Sequence, residues 1–311
     1  MDHWGYTFDE RTCSSAANGG QLEILKWLCD IKCQWSADTC NFAASSGHLD
    51  ILQWARSQGC PWEVFTCSLA AKKGNLQVLK WLRDNHCPWD KQTLAYAASE
   101  GHLDLIKWMR ENGCEWNESA CSSAASGGHL ETLKWLRENG CEWNSDTCSQ
   151  AALNGHLEIL QYAHSNGCKW ASGDVLIERA AQGGHLKILQ WARENGCEWT
   201  SKACAIAASY GQLEALQWLR SNGCPWDENT CVSAAANGYL NVLQWARENG
   251  CEWTKEVCYV ASEEGYLSIL KWSRENGCDW DRQRCYDVAE RKGWKNTLKW
   301  IRSRPIVEMY K

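Results

Sequence analysis

Tryptophan returns at a fixed interval along this chain, and that interval constrains the fold more than any other feature. Trp35, Trp62, Trp89, Trp116, Trp143, Trp170, Trp199, Trp226, Trp253 and Trp280 are spaced by 27 residues, with one step of 29. A second series, Trp27, Trp54, Trp81, Trp108, Trp135, Trp191, Trp218, Trp245 and Trp272, runs eight residues ahead, with Tyr162 in the vacant place. Such a period marks a repeat architecture: a unit this short cannot bury its own apolar face and must stack on its neighbours. One further position, Cys13, Cys40, Cys67, Leu94, Cys121, Cys148, Ile177, Cys204, Cys231, Cys258 and Cys285, counts eleven units. They fill residues 8–302, leaving 1–7 and 303–311 as tails.

Within a unit the apolar spacing is helical. Leu130, Leu133, Trp135 and Leu136 share one face, while Glu131, Lys134, Arg137 and Glu138 face away. This is the second helix, closed at Asn139-Gly140, where glycine can turn left-handed. The residue after the first-series tryptophan is Ser36, Asp90, Asn117, Asn144, Thr200, Asp227, Thr254 or Asp281, side chains suited to capping a helix start. A short first helix begins there, carries a small pair such as Ala124-Ala125, and ends at the glycine before the second helix. Each unit is therefore read as a helical hairpin, and the fold as an all-α solenoid of stacked hairpins. No strand pattern competes.

Composition supplies the exclusions. The chain has 22 Trp and 20 Cys against 3 Phe and 3 Met, a bias that reuse of a few positions explains. A net charge of −6 weighs against a nucleic-acid partner, where a basic face is expected. No stretch is apolar enough for a membrane span, and the opening residues lack a basic start followed by an apolar run. An intracellular, cytoplasmic setting with reduced thiols is the expectation.

Gly128-His129-Leu130-Glu131 before an apolar helix, an Ala-Ala pair upstream, and Asn-Gly followed by an apolar residue downstream resemble the ankyrin repeat. The resemblance runs over about residues 8–302. It places Cys121 at the first core Leu of that family's Thr-Pro-Leu-His segment, Cys141 at the small residue after the closing glycine, and Trp143 at the following Val. Two departures stand out. Thr147-Cys148-Ser149 replaces the Thr-Pro-Leu-His signature, and the unit falls short of the family's spacing of about 33 residues, which removes the projecting hairpin finger. The chain looks like a compact Trp- and Cys-rich variant, as found in giant-virus and protist arrays. The resemblance implies protein binding; the periodicity implies only a solenoid.

The cysteines at C-x6-C spacing, such as Cys114 with Cys121 and Cys224 with Cys231, invite a zinc reading, but structural zinc favours tighter knuckles. Leu94 and Ile177 also occupy the thiol position in two units, which suits a small apolar core place and not a ligand. No metal and no cofactor are expected. Cys29, where other units carry Arg56, Arg83, Arg110 or Arg137, is the thiol expected to be exposed. The two Trp series are read as core fillers bridging neighbouring units. The His of Gly-His-Leu (His48, His102, His129, His156, His185) becomes Gln21, Asn75, Gln212, Tyr239 or Tyr266 elsewhere, so it is no shared catalytic base. Nothing in the pattern points to an enzyme.

Variation between units is where a repeat scaffold carries specificity. On the first helix the variable places hold Phe42, Leu69, Tyr96, Gln150, Arg179, Ile206 and Val260, and, before the mid-unit glycine, Lys72, Lys73, Glu100, Tyr210, Glu263 and Glu264. The resemblance puts this helix on a concave face, so these are the expected partner contacts, the partner being another protein. A structural rod without a specific partner, or a thiol-rich metal-binding array, are the alternatives. The step of 29, at Trp170-Ala171-Ser172-Gly173-Asp174, predicts either a flexure over residues 170–176 or a surface bulge.

Overall fold

The computed structural model describes residues 8–170 and 172–304, which form 22 α-helices with no strand among the described residues. Residues 1–7, 305–311 and Ala171 lie outside them, so the N-terminal tail, most of the C-terminal tail and part of the expected flexure are not described. The chain divides into two compact units, residues 1–151 with 158–169, and residues 152–157 with 170–311.

In the first unit the hairpins are α1 (Glu10–Asn18) with α2 (Leu22–Asp30), α3 (Ala37–Ser46) with α4 (Leu49–Ser57), and α5 (Val64–Lys72) with α6 (Leu76–Asp84). They continue as α7 (Lys91–Ser99) with α8 (Leu103–Glu111), and α9 (Glu118–Gly127) with α10 (Leu130–Glu138). Each first helix packs on the next, α1 on α3, α3 on α5, α5 on α7 and α7 on α9. In the second unit Gly173–Gly183, Ser201–Ser209, Glu228–Ala236, Glu256–Glu263 and Arg282–Lys292 stack in the same way. The first helix is not short: α3 has 10 residues and α4 has 9, because the chain stays helical through the Ala-Ala pair to the glycine turn.

The caps act as their chemistry requires. The Asp90 carboxylate accepts from Thr93 N at 3.0 Å and the Asn117 side chain accepts from Ser119 N at 3.2 Å. Thr200 makes no such bond. The alanine pairs are fully buried, which lets first helices approach closely; a Cβ on Gly127 would sit on the Ser99 carbonyl of the neighbouring hairpin. Leu79 and Leu82 are sealed beneath α6, each contributing about 2 kcal/mol by area. The turn that leads from a second helix to the next hairpin is left-handed, as at Gly113 and Gly140, but Lys32 and His86 hold the same place at φ 60° and 62°. The step of 29 is split between the turn, where Ser172 takes the cap position, and the 11-residue helix Gly173–Gly183.

Three recurring columns fasten the hairpins. The first is sulfur. Neighbouring thiols are 20 residues apart within one hairpin (Cys40 with Cys60, Cys67 with Cys87, Cys121 with Cys141), not at the C-x6-C spacing, because the first-helix cysteine meets the turn that closes its own hairpin. A hydrogen bond to the partner sulfur, then burial, holds Cys40, Cys67 and Cys121 well above the ordinary thiol range. Apart from Cys29 and Cys33, all the cysteines are buried.

The second column is aromatic, and it corrects the reading of tryptophan as core filler: the indoles are half-buried, and Trp27 is 48% exposed. Trp62 meets Trp81 edge-on at 5.7 Å and Trp89 meets Trp108 at 5.9 Å, while Arg83 lies over Trp89 and Arg110 over Trp116 at 4.1 and 3.9 Å. The same arginines, read from sequence as pointing outward, donate to the turn: Arg110 Nη1 reaches Cys114 O at 2.7 Å. An indole edge needs a ring and an arginine needs a carbonyl, so both stay at the rim, where the turn is.

The third column explains why the residue of Gly-His-Leu changes so freely. His102 Nε2 lies 3.1 Å from Lys72 O and His185 Nε2 lies 2.9 Å from Leu153 O. Asn75 donates to Ala44 O and Ser45 O at 2.9 Å, Gln212 to Gln182 O at 3.2 Å, and Trp294 Nε1 to Glu263 O at 2.9 Å. Each donor reaches carbonyls that the preceding first helix leaves open at its C-terminus. His, Asn, Gln and Trp side chains all make this contact.

Candidate functional site

Stacking first helix on first helix carries residues 27 apart into one column. Phe42 on α3, Leu69 on α5 and Tyr96 on α7 therefore line up, with Phe42 42% and Tyr96 36% exposed. Their neighbours Ala43, Ala44, Ala70, Ala71, Ala97 and Ala98 are fully buried, so the helix faces water along this edge only. Beside the column lies Phe65, 47% exposed, which the sequence reading passed over. Its signal was available: only 3 Phe occur in the chain, and both Phe42 and Phe65 fall on adjacent first helices.

Between α5 and α7, Phe65 and Tyr96 line a groove of 340 Å³ together with Glu63, Val64, Ser68, Asp90 and Gln92. Its chemistry is graded along the helices. Glu63 and Asp90 sit at the helix starts, where the free amides attract anions. At the far end of α5 are half-buried Lys72, whose ammonium lies 5.9 Å over the Tyr96 ring, and exposed Lys73. Glu100, exposed, closes α7. The groove thus sets Val64, Phe65 and Tyr96 beside acidic Glu63 and Asp90, with Lys72 and Lys73 beyond its lining.

The other expected contacts are distributed. Gln150 is half-buried on the helix Ser145–Asn154. In the second unit Arg179 is exposed, Tyr210 is 50% exposed and closes Ser201–Ser209, and Ile206 is half-buried on that helix. Val260 and Glu263 are half-buried on Glu256–Glu263, which exposed Glu264 closes. Phe42, Leu69 and Tyr96 are the ones brought together with Phe65.

Chemical alternatives are thin among the described residues. No group of three or more His, Cys, Asp or Glu is placed to hold a metal ion, and no helix is long and apolar enough to cross a membrane. In the first Trp series, guanidinium groups lie over indoles such as Trp89, Trp116 and Trp226.

Comparison with known proteins gives two likenesses. Residues 67–147 match the family model described as ankyrin repeats (3 copies). No curated protein sequence matches the chain. Among solved structures, the human ASB11 ankyrin repeat domain is similar at 17% identity and a TM-score of 0.47, over 60% of this chain and 98% of that one.

Proposed function

We propose that this ankyrin-repeat protein is a scaffold that binds another protein through the first-helix face, with its anchor at Phe42, Phe65, Leu69 and Tyr96. Ankyrin repeats are in general protein-interaction modules, and the fold is typically non-enzymatic. The observation that carries the reading is three exposed aromatic side chains, Phe42, Phe65 and Tyr96, on successive first helices, two of them lining a groove. Aromatic side chains left in water at one place are the usual anchors of an interface. Covering each contributes about 2 kcal/mol by area before the costs of association. Lys72, Lys73 and Glu100 set charge preference beside the anchor in the first unit, and Arg179, Ile206, Tyr210, Val260, Glu263 and Glu264 would serve on the first helices of the second unit. The reading assigns no catalysis, cofactor or metal.

A peptide library displayed on phage and selected on the full chain tests this. Binders should be lost with Phe42→Glu, Phe65→Glu or Tyr96→Glu and kept with Gln77→Glu, an exposed position on α6, while all four variants keep native helicity. Binders indifferent to the three aromatic substitutions would remove the reading.

A further inference from the structure

One thiol pair differs from the rest. Cys13, buried on α1, donates its S–H to Cys33 Sγ at 3.4 Å, and Cys33 is half-buried where its counterparts Cys60, Cys87 and Cys141 are sealed. Cys33 lies on the wall of an open cavity of 460 Å³ together with Phe8, Asp9, Arg11 and Lys32. Two structural facts open it. Among the described residues the helices packed on α1 are its own partner α2 and α3, and no other helix packs on its outer side. The arginine that elsewhere reaches across the closing turn is replaced by Cys29, which leaves that turn without its guanidinium and adds a third, half-buried thiol nearby.

We propose that Cys13 and Cys33 form a modification site: a dithiol that a small hydroperoxide converts to an intrachain disulfide, while the pairs deeper in each unit stay reduced. The accessible partner reacts first. The Cys33 sulfur attacks one peroxide oxygen, the O–O bond breaks, one water leaves, and Cys33 becomes a sulfenic acid. The Cys13 sulfur then attacks that sulfur; the S–O bond breaks, the S–S bond forms, and a second water leaves carrying the Cys13 proton. Two thiols lose two electrons and two protons, and hydrogen peroxide becomes two waters. The sulfurs start within 1.5 Å of bonding distance, taking about 2.05 Å for the bond, so one hairpin closes on itself without a change of partners. Burial, which pushes the Cys13 thiol up to about 12, keeps it from reacting first. The bond would tie α1 to the turn after α2, within one hairpin.

The test treats the native full chain with one equivalent of hydrogen peroxide, alkylates it, and maps the peptides by mass spectrometry. The expected product is a peptide linking Cys13 to Cys33, abolished by dithiothreitol, at more than tenfold the yield of any other linked pair. Cys29→Ser should leave that yield unchanged. Cys13→Ser should leave Cys33 as a sulfenic acid trapped by dimedone. A Cys29–Cys33 link, equal linkage of Cys67 with Cys87, or the absence of any linked peptide would overturn the proposal, and the Cys29→Ser result decides even where Cys13→Ser disturbs the first hairpin.

Discussion

The rim where tryptophan and arginine meet and the face made by the first helices are both in water, yet they are built on opposite terms. At the rim the same contact recurs: Trp35 on Trp54, Trp116 on Trp135 and Trp226 on Trp245 keep ring distances of 5.8, 5.9 and 5.9 Å. On the first-helix face the equivalent place holds Phe42, Leu69 or Tyr96 in the first unit and Arg179, Ile206 or Val260 in the second. Where every repeat must make the same junction, the side chain is fixed by the junction. Where a side chain makes no junction that every repeat needs, it is free to answer to something outside the chain.

Alkaline pH should strike the recurring contacts hardest. Burial holds Cys114 at about 12 and Cys285 at about 11, against 9.0 for an ordinary thiol. Their folded values are raised, so the stability they contribute is fully present below about pH 9 and is lost as pH climbs through 9 to 12. A melting temperature that is flat near neutrality and falls steeply above pH 9 is expected; an equally flat alkaline limb would contradict it.

Trp108→Ala comes next, with a loss of about 3 kcal/mol, because it empties the partner of Trp89 and part of the α8 surface. Tyr96→Ala, on a neighbouring helix of the same unit, should cost no more than about 0.5 kcal/mol, the range of ordinary surface changes. Chemical denaturation of the two variants side by side measures the contrast, and equal losses would erase it. A smaller and opposite effect is expected at His86, the non-glycine in a left-handed turn: His86→Gly should stabilise by about 1 kcal/mol, read as a shifted denaturation midpoint.

Much of this was legible in the sequence. Helical hairpins, caps such as Asp90 and Asn117, and the left-handed glycine after the second helix follow from spacing and local chemistry, which act within one repeat. The buried role of Cys121 and Cys231 was legible from Leu94 and Ile177 standing in for a thiol. What was not legible is which columns meet. A strict period shows that Cys121, Cys141 and Cys148 recur in register, yet every pairing among them repeats equally well, and only the fold of the hairpin selects Cys121 with Cys141. Tryptophan was misplaced in the core for the same reason: hydrophobicity predicts burial, but the arginine four residues before the turn competes for its face. Of the proposed face, Phe42 and Tyr96 were singled out by their variability, and both are exposed. Phe65 was missed because its column, Asp38, Phe65, Gln92 and Ser119, is otherwise polar.

The claim that the variable face recognises and the recurring rim only fastens can be read from hydrogen exchange on the full chain, with and without a peptide selected on it. The account predicts added protection in α3, α5 and α7, around Phe42, Phe65 and Tyr96, with exchange in α4, α6 and α8 unchanged. Protection concentrated on α4, α6 and α8, beside Trp54, Trp81 and Trp108, would contradict it.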